Sequence, residues 1–158
     1  MTLGNCHLNP QELALANDLL HDTDQSKAPL HCSQKLTWIA RARAAMVAQR
    51  GKLSPLITPD LGVNDFLRQA GYPLASDIPG GTINTVEAIS AGNSTSNAAW
   101  DTLTHSVIHR DLVLRKDPFY KQYNEFGVGY VYRWYSPSIY YYVIEFGVRG
   151  HNQSHTAK

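Results

Sequence analysis

The chain has 158 residues, a length that suits one domain and is far too short for a protein-kinase catalytic domain. Apolar residues make up 43% and charged residues 17%, so the composition is globular rather than disordered. Net charge is +1 with Lys and Arg scattered, which excludes the basic stripe of a nucleic-acid binder. The longest apolar run, SIYYYVIEF, is only of strand length, so no membrane span is expected.

The elements follow in chain order. Residues 1–10 lack the apolar core of a signal peptide, so the chain is expected to be either cytosolic or stripped of a leader. NPQELALANDLL predicts a helix, with Asn9 as its cap, Pro10 in the first turn and Glu12 closing a capping box. Cys6 and Cys32 form no CxxC motif, which excludes a zinc ribbon. They are either joined across a wide loop or remain two buried thiols. SQKLTWIARARAAMVAQRG predicts the strongest helix. Leu36, Ala40, Ala44 and Val47 share one face, and Gly51 stops it.

Two prolines keep KLSPLITPDLG out of helical conformation. VNDFLRQAG predicts a short helix, and SDIPGGTIN a loop. TVEAISAG fits a strand or a short helix. NAAWDTLTHSV predicts a helix capped from the preceding Ser/Thr segment, and LRKDPFYKQYN reads as irregular. FGVGYVYRWY and SIYYYVIEFGV, joined around Ser136 and Pro137, predict a hairpin that is apolar on both faces. Both faces therefore need cover, and the upstream helices must supply it. The expected fold is α+β, a three-layer α-β-α sandwich around a central antiparallel sheet. One domain is expected over residues 1–150, with a flexible C-terminal tail at 151–158.

VIHRDLVLRK has the look of a kinase catalytic loop. The asparagine that should follow the aspartate by five positions is Lys116, and a cation cannot ligate Mg²⁺. No glycine-rich phosphate loop lies upstream. There is also no GxSxG nucleophile elbow.

The segments ARAAMVAQRGKLSP, DFLRQAGYP, VEAISAG, WDTLTHSVIHRDLVL, FGVGYVY and YYYVIEFG, in that order, resemble the CAP superfamily. This is the group of cysteine-rich secretory proteins, antigen five and plant pathogenesis-related proteins, also called SCP-like, and the style is that of its bacterial branch. There the corresponding motifs read RG-x-x-S-H, R-L-x-x-A-G-Y, E-N-I-A-x-G, W…S-x-x-H-R, G-V-G-Y and an aromatic strand ending F-G. The resemblance covers residues 8–148. HR is then the family's S-x-x-H-R, carried by Ser106, His109 and Arg110.

The resemblance implies a cleft lined by two histidines and two acids, which in several members binds a divalent metal. Glu87 matches the first acid and His109 the second histidine. Pro55 stands where the first histidine should follow Ser54. No residue clearly matches the second acid, and Asp101 is the nearest candidate. A zinc site usually takes three or four protein ligands. A retained one would draw on Glu87, His109 and a replacement such as His105, which follows Asp101 and precedes His109 at four-residue steps. Without that replacement no cofactor is expected.

The resulting expectation is a secreted or periplasmic CAP-domain protein, its leader removed. It would act as a non-catalytic binding module through Glu87, His109, Ser106 and Arg110, on a lipid, glycan or protein ligand. The alternative is a metal-dependent hydrolase using Glu87 and His109. The aromatic residues Tyr130, Tyr132, Trp134 and Tyr140–Tyr142 suit either a ligand groove or a sheet packed beneath helices.

Overall fold

In the computed structural model, which describes residues 1–150, the first helix, α1 (Pro10–His21), starts where its signals place it. The Asn9 side chain accepts from the Glu12 backbone N–H at 2.8 Å, and the Glu12 carboxylate accepts from the Asn9 N–H at 3.0 Å. The expected tail at 151–158 lies outside the described residues. Glu12 does more than cap. It is fully buried, takes Arg41 Nη2 at 2.7 Å, and accepts the backbone N–H of Tyr130 at 3.1 Å. One side chain thus joins three elements.

The chain then passes through a two-residue strand, β1 (His31–Cys32), into α2 (Gln34–Arg50). Ser33 caps α2, accepting from the Leu36 N–H, and Gly51 ends it in the left-handed region at φ 70°. The proline-bearing segment forms a small hairpin, β2 (Leu56–Thr58) with β3 (Leu61–Gly62), which leads into α3 (Val63–Gln69). Next come β4 (Glu87–Ala91) and α4 (Ser96–Thr104), then the single turns α5 (Arg110–Val113) and α6 (Pro118–Lys121). The long hairpin β5 (Glu125–Tyr132) and β6 (Tyr140–Gly147) completes the described chain. TVEAISAG therefore resolves to a strand, and the stretch read as irregular contains one capped helical turn at α6.

The main sheet runs β1-β5-β6-β4. Its three longer strands are antiparallel, and β1 adds a short parallel edge through His31↔Glu125 and Cys32↔Phe126. The fold is an α+β sandwich. Strand alternation divides the side chains between two layers. Tyr141, Val143, Val131, Ile89 and Ala91 pack against Ala40, Ala44, Val47 and Ala48 of α2. Tyr142, Ile144, Phe146, Phe126 and Val128 join the larger core that α1 and α4 supply on the opposite face.

The α2 layer lies unusually close to the sheet. A Cβ built on Gly127 would come within 2.2 Å of the Leu36–Thr37 backbone, and one on Gly129 within 2.3 Å of Ala40–Arg41. The GVG of FGVGY is therefore a packing requirement. It seats the helix directly on β5. Cys6 and Cys32 form a disulfide, with Cα atoms 6.2 Å apart. Among the described residues no helix is long and apolar enough to cross a membrane.

Candidate functional site

The small cleft holding the family-like residues opens between β4, the segment preceding β2 and the turn preceding α5. Its volume is about 240 Å³. Glu87, His109 and Asn84 supply its polar groups, and Leu53, Pro55, Ile89 and Ile108 its apolar walls. Glu87 and His109 thus share one cleft, 22 positions apart in the chain but adjacent in space. Pro55 lines the same cleft with no side-chain ligand to offer.

Asn84 sets the start of β4. Its carbonyl oxygen accepts from the N–H groups of Val86 and Glu87, at 3.2 and 2.9 Å, and its amide donates to the Glu87 carbonyl at 3.1 Å. This Asx turn fixes where Glu87 begins the strand and which way it faces. Glu87 is buried, and Arg43 of α2 grips its carboxylate with both oxygens engaged, Nε to Oε2 and Nη2 to Oε1, each at 2.8 Å. The same guanidinium donates to the Ser54 carbonyl at 3.0 Å, tying the strand-side acid to the loop that carries Pro55. The bidentate geometry is that of a strong, planar ion pair.

Beneath Glu87 lies a second carboxyl. Glu145 is its register partner across β4 and β6, is fully buried, and has no donor within reach of either oxygen. Burial first, then the neighbouring Glu87 charge, push Glu145 well above the usual carboxylate range. Carrying a proton, it can donate to Glu87, and Arg43, Glu87 and Glu145 together are then neutral apart from one balanced pair. Neither Arg43 nor Glu145 stands out from sequence motifs. One signal was available for Arg43: it falls on the buried stripe of α2, three residues after Ala40 and four before Val47, where a guanidinium needs a partner.

His109 is half-buried, and burial lowers its pKa below the ordinary 6.5, favouring the neutral imidazole. Its Nδ1 is 3.0 Å from Ser106 Oγ, while the Ser106 carbonyl accepts from the His109 and Arg110 N–H groups at 3.2 and 2.9 Å. Ser106 therefore positions the ring from a tight turn. Nε2 has no hydrogen-bond partner among the described residues.

His105 and Arg110 sit elsewhere. α4 ends at Thr104, so Asp101, His105 and His109 do not share one helical face. The His105 ring turns back on its own helix, with Nδ1 2.8 Å from the Asp101 carbonyl and 3.3 Å from its carboxylate, and both side chains are largely exposed. His105, Asp101 and Arg110 line a separate cavity of about 480 Å³ between α1 and α4, together with Asp18, Asp22 and Trp100. His105 and Asp101 therefore do not line the cleft of Glu87 and His109. The physical reason is the helix stop before the β-branched Val107–Ile108 pair, which reorients the chain. Among the described residues, no three His, Cys, Asp or Glu side chains converge as a metal-binding group.

Comparisons with known proteins agree on the fold. An outer surface protein of Borrelia burgdorferi is similar over 87% of this chain and 90% of its own, with TM-score 0.65 and 13% identity. An extracellular protein of Bacillus anthracis containing an SCP domain is similar over 75% of this chain, with TM-score 0.51 and 22% identity; the match spans 34% of that longer protein. No family model matches the sequence, and no curated protein is significantly similar to it. The architecture is the SCP-like, or CAP, fold.

Proposed function

We propose that this chain is an extracytoplasmic binding module that works without a metal and without turnover. Its cleft takes a small apolar group against the neutral His109 imidazole. The observation that carries this reading is the grip of Arg43 on Glu87. Both carboxylate oxygens face one guanidinium in the interior, which balances the charge a cation would need and makes Glu87 a poor base toward a substrate proton. With Pro55 in the cleft wall, His109 alone is left, and a lone imidazole does not fit a divalent ion. The cleft is smaller than the roughly 300–1,000 Å³ of a typical drug-sized site and suits one side-chain-sized group, such as the end of an acyl chain or an apolar residue of a protein partner. An oxidising compartment is supported by the disulfide, and the fold's likeness to an outer surface protein and an extracellular one points the same way.

Calorimetric titration of the metal-free protein with Zn²⁺, run beside His109→Ala, tests the metal-free part. The expected result is no binding in the micromolar range for either. Tight binding by the native chain that vanishes in His109→Ala would instead support the metal-dependent hydrolase. The apolar part is read by NMR: n-hexanol should shift the Ile89 and Ile108 methyls and the His109 ring saturably, leaving the α1 core signals in place.

A further inference from the structure

The β5–β6 hairpin does not end at the edge of the sandwich. Its tip, residues 133–139, carries an aromatic cluster that no helix covers. Trp134 and Tyr135 are each 70% exposed and Tyr132 55%, although their strand neighbours Tyr141 and Tyr142 are buried. Trp134 and Tyr135 meet edge to face with centroids 5.5 Å apart, and the Arg133 guanidinium lies 6.0 Å from the Tyr135 ring. Large rings left in water on an otherwise well-covered sheet call for a partner.

The tip is held in shape. The Tyr141 hydroxyl donates to Ser136 Oγ at 2.7 Å and accepts from the Ser138 N–H at 3.0 Å. The Arg133 N–H bonds the Ile139 carbonyl at 2.7 Å, and Ser136 folds back on the Arg133 carbonyl. The rings are therefore presented on a closed loop, which lowers the ordering cost of binding. Between this loop and the end of α2 runs a groove of about 600 Å³. Arg50 and Arg133 line it with Tyr135 and Gln49, and no Asp or Glu lines it. Neither arginine has a carboxylate partner among the described residues.

We infer that this tip and groove dock an anionic sugar chain, one bearing carboxylate or sulfate groups. The two unpaired guanidinium forks match such groups in charge and geometry. The exposed ring faces offer flat apolar surfaces on which the C–H faces of pyranose rings stack. A lipid bilayer fits less well. The two arginines line a groove rather than stand on a projecting face, a shape that admits a single chain better than a flat bilayer surface. The chain's net charge is only +1, so appreciable binding to a polyanion must come from a local patch.

The test is calorimetric titration of the full chain with a heparin hexasaccharide at low and moderate salt. Linear polyphosphate and vesicles of phosphatidylcholine with phosphatidylglycerol serve as comparisons. The hexasaccharide is expected to bind, with affinity falling as salt rises. Trp134→Ala and the double variant Arg50→Ala/Arg133→Ala should each weaken it at least about tenfold. Trp38→Ala, which removes an exposed indole near the start of α2, about three turns before Arg50 and away from the hairpin tip, should bind as the native chain does. Unfolding midpoints establish that each variant is folded. The inference is overturned if the hexasaccharide does not bind, or if folded tip variants bind it unchanged. Polyphosphate binding that equals it and ignores Trp134 would reduce the groove to bare charge. Vesicle binding lost in Trp134→Ala, without hexasaccharide binding, would make the tip a membrane contact instead.

Discussion

A carboxyl with no donor in reach, as at Glu145, is tolerated in the interior only while it keeps its proton. Its folded pKa lies above the unfolded value near 4.5, so between those two values the folded state holds more protons than the unfolded one. Stability attributable to this group is therefore full below about 4.5 and declines as pH rises toward the folded value. Glu145→Gln keeps the shape and a donor for Glu87 while removing the titration. It should flatten the fall in unfolding free energy, measured by urea, as pH rises above about 4.5. Equal slopes in the two proteins would show that Glu145 ionises as an ordinary carboxyl. The kinase-like stretch also resolves at this scale. Its arginine near the end, Arg115, is fully buried with a left-handed backbone and no carboxylate partner among the described residues. Its guanidinium instead donates to Gln25 and to the carbonyls of Ser26, Ala28, Pro29 and Tyr123, and burial pushes it down to about 10. HRDLVLRK is thus a histidine positioned for the cleft followed by an internal clamp on the loop between α1 and β1.

Between elements, contact distance governs. Gly129→Ala places a methyl where the Ala40–Arg41 backbone stands, and backbone cannot yield as a flexible side chain does. The helix must lift from β5, at a cost of about 1–3 kcal/mol, read as a lower urea midpoint with unchanged m-value. An unchanged midpoint would mean that α2 has room to shift away from β5 without loss. The same scale separates what the sequence makes legible from what it hides. α1 begins where Asn9 and Glu12 place it and α2 ends where Gly51 places it, because caps are local chemistry. The β5–β6 hairpin is legible from its alternation, and Glu87 and His109 from motif order. Arg43 meeting Glu87 across 44 positions is not legible, since it depends on which helix face lands on which strand. Nor is Glu145, whose burial follows from a register no local pattern specifies. The His105 spacing misleads for the opposite reason: the periodicity is present, but the helix stops at Thr104 before it can act.

For the whole molecule, the disulfide ties the N-terminal arm to the sheet. Closing a 26-residue separation contributes about 3 kcal/mol by restricting the unfolded chain. Reduction, or Cys6→Ser/Cys32→Ser, should lower the thermal midpoint by several degrees while leaving the α2 layer packed. A reduced protein as stable as the oxidised one would show that the arm is held by its other contacts. Those contacts have a further meaning. Thr2 bridges to His31 and hydrogen-bonds the backbone of Leu30 and Cys32, so the arm lies along the outer side of β1. That side would otherwise offer free N–H and C=O groups to any strand that passed, including one from another copy of the chain. The bond between Cys6 and Cys32 is then a guard on solubility as well as a staple. Opening it would unmask a template for self-association, and light scattering on the reduced protein would rise before the fold itself is lost.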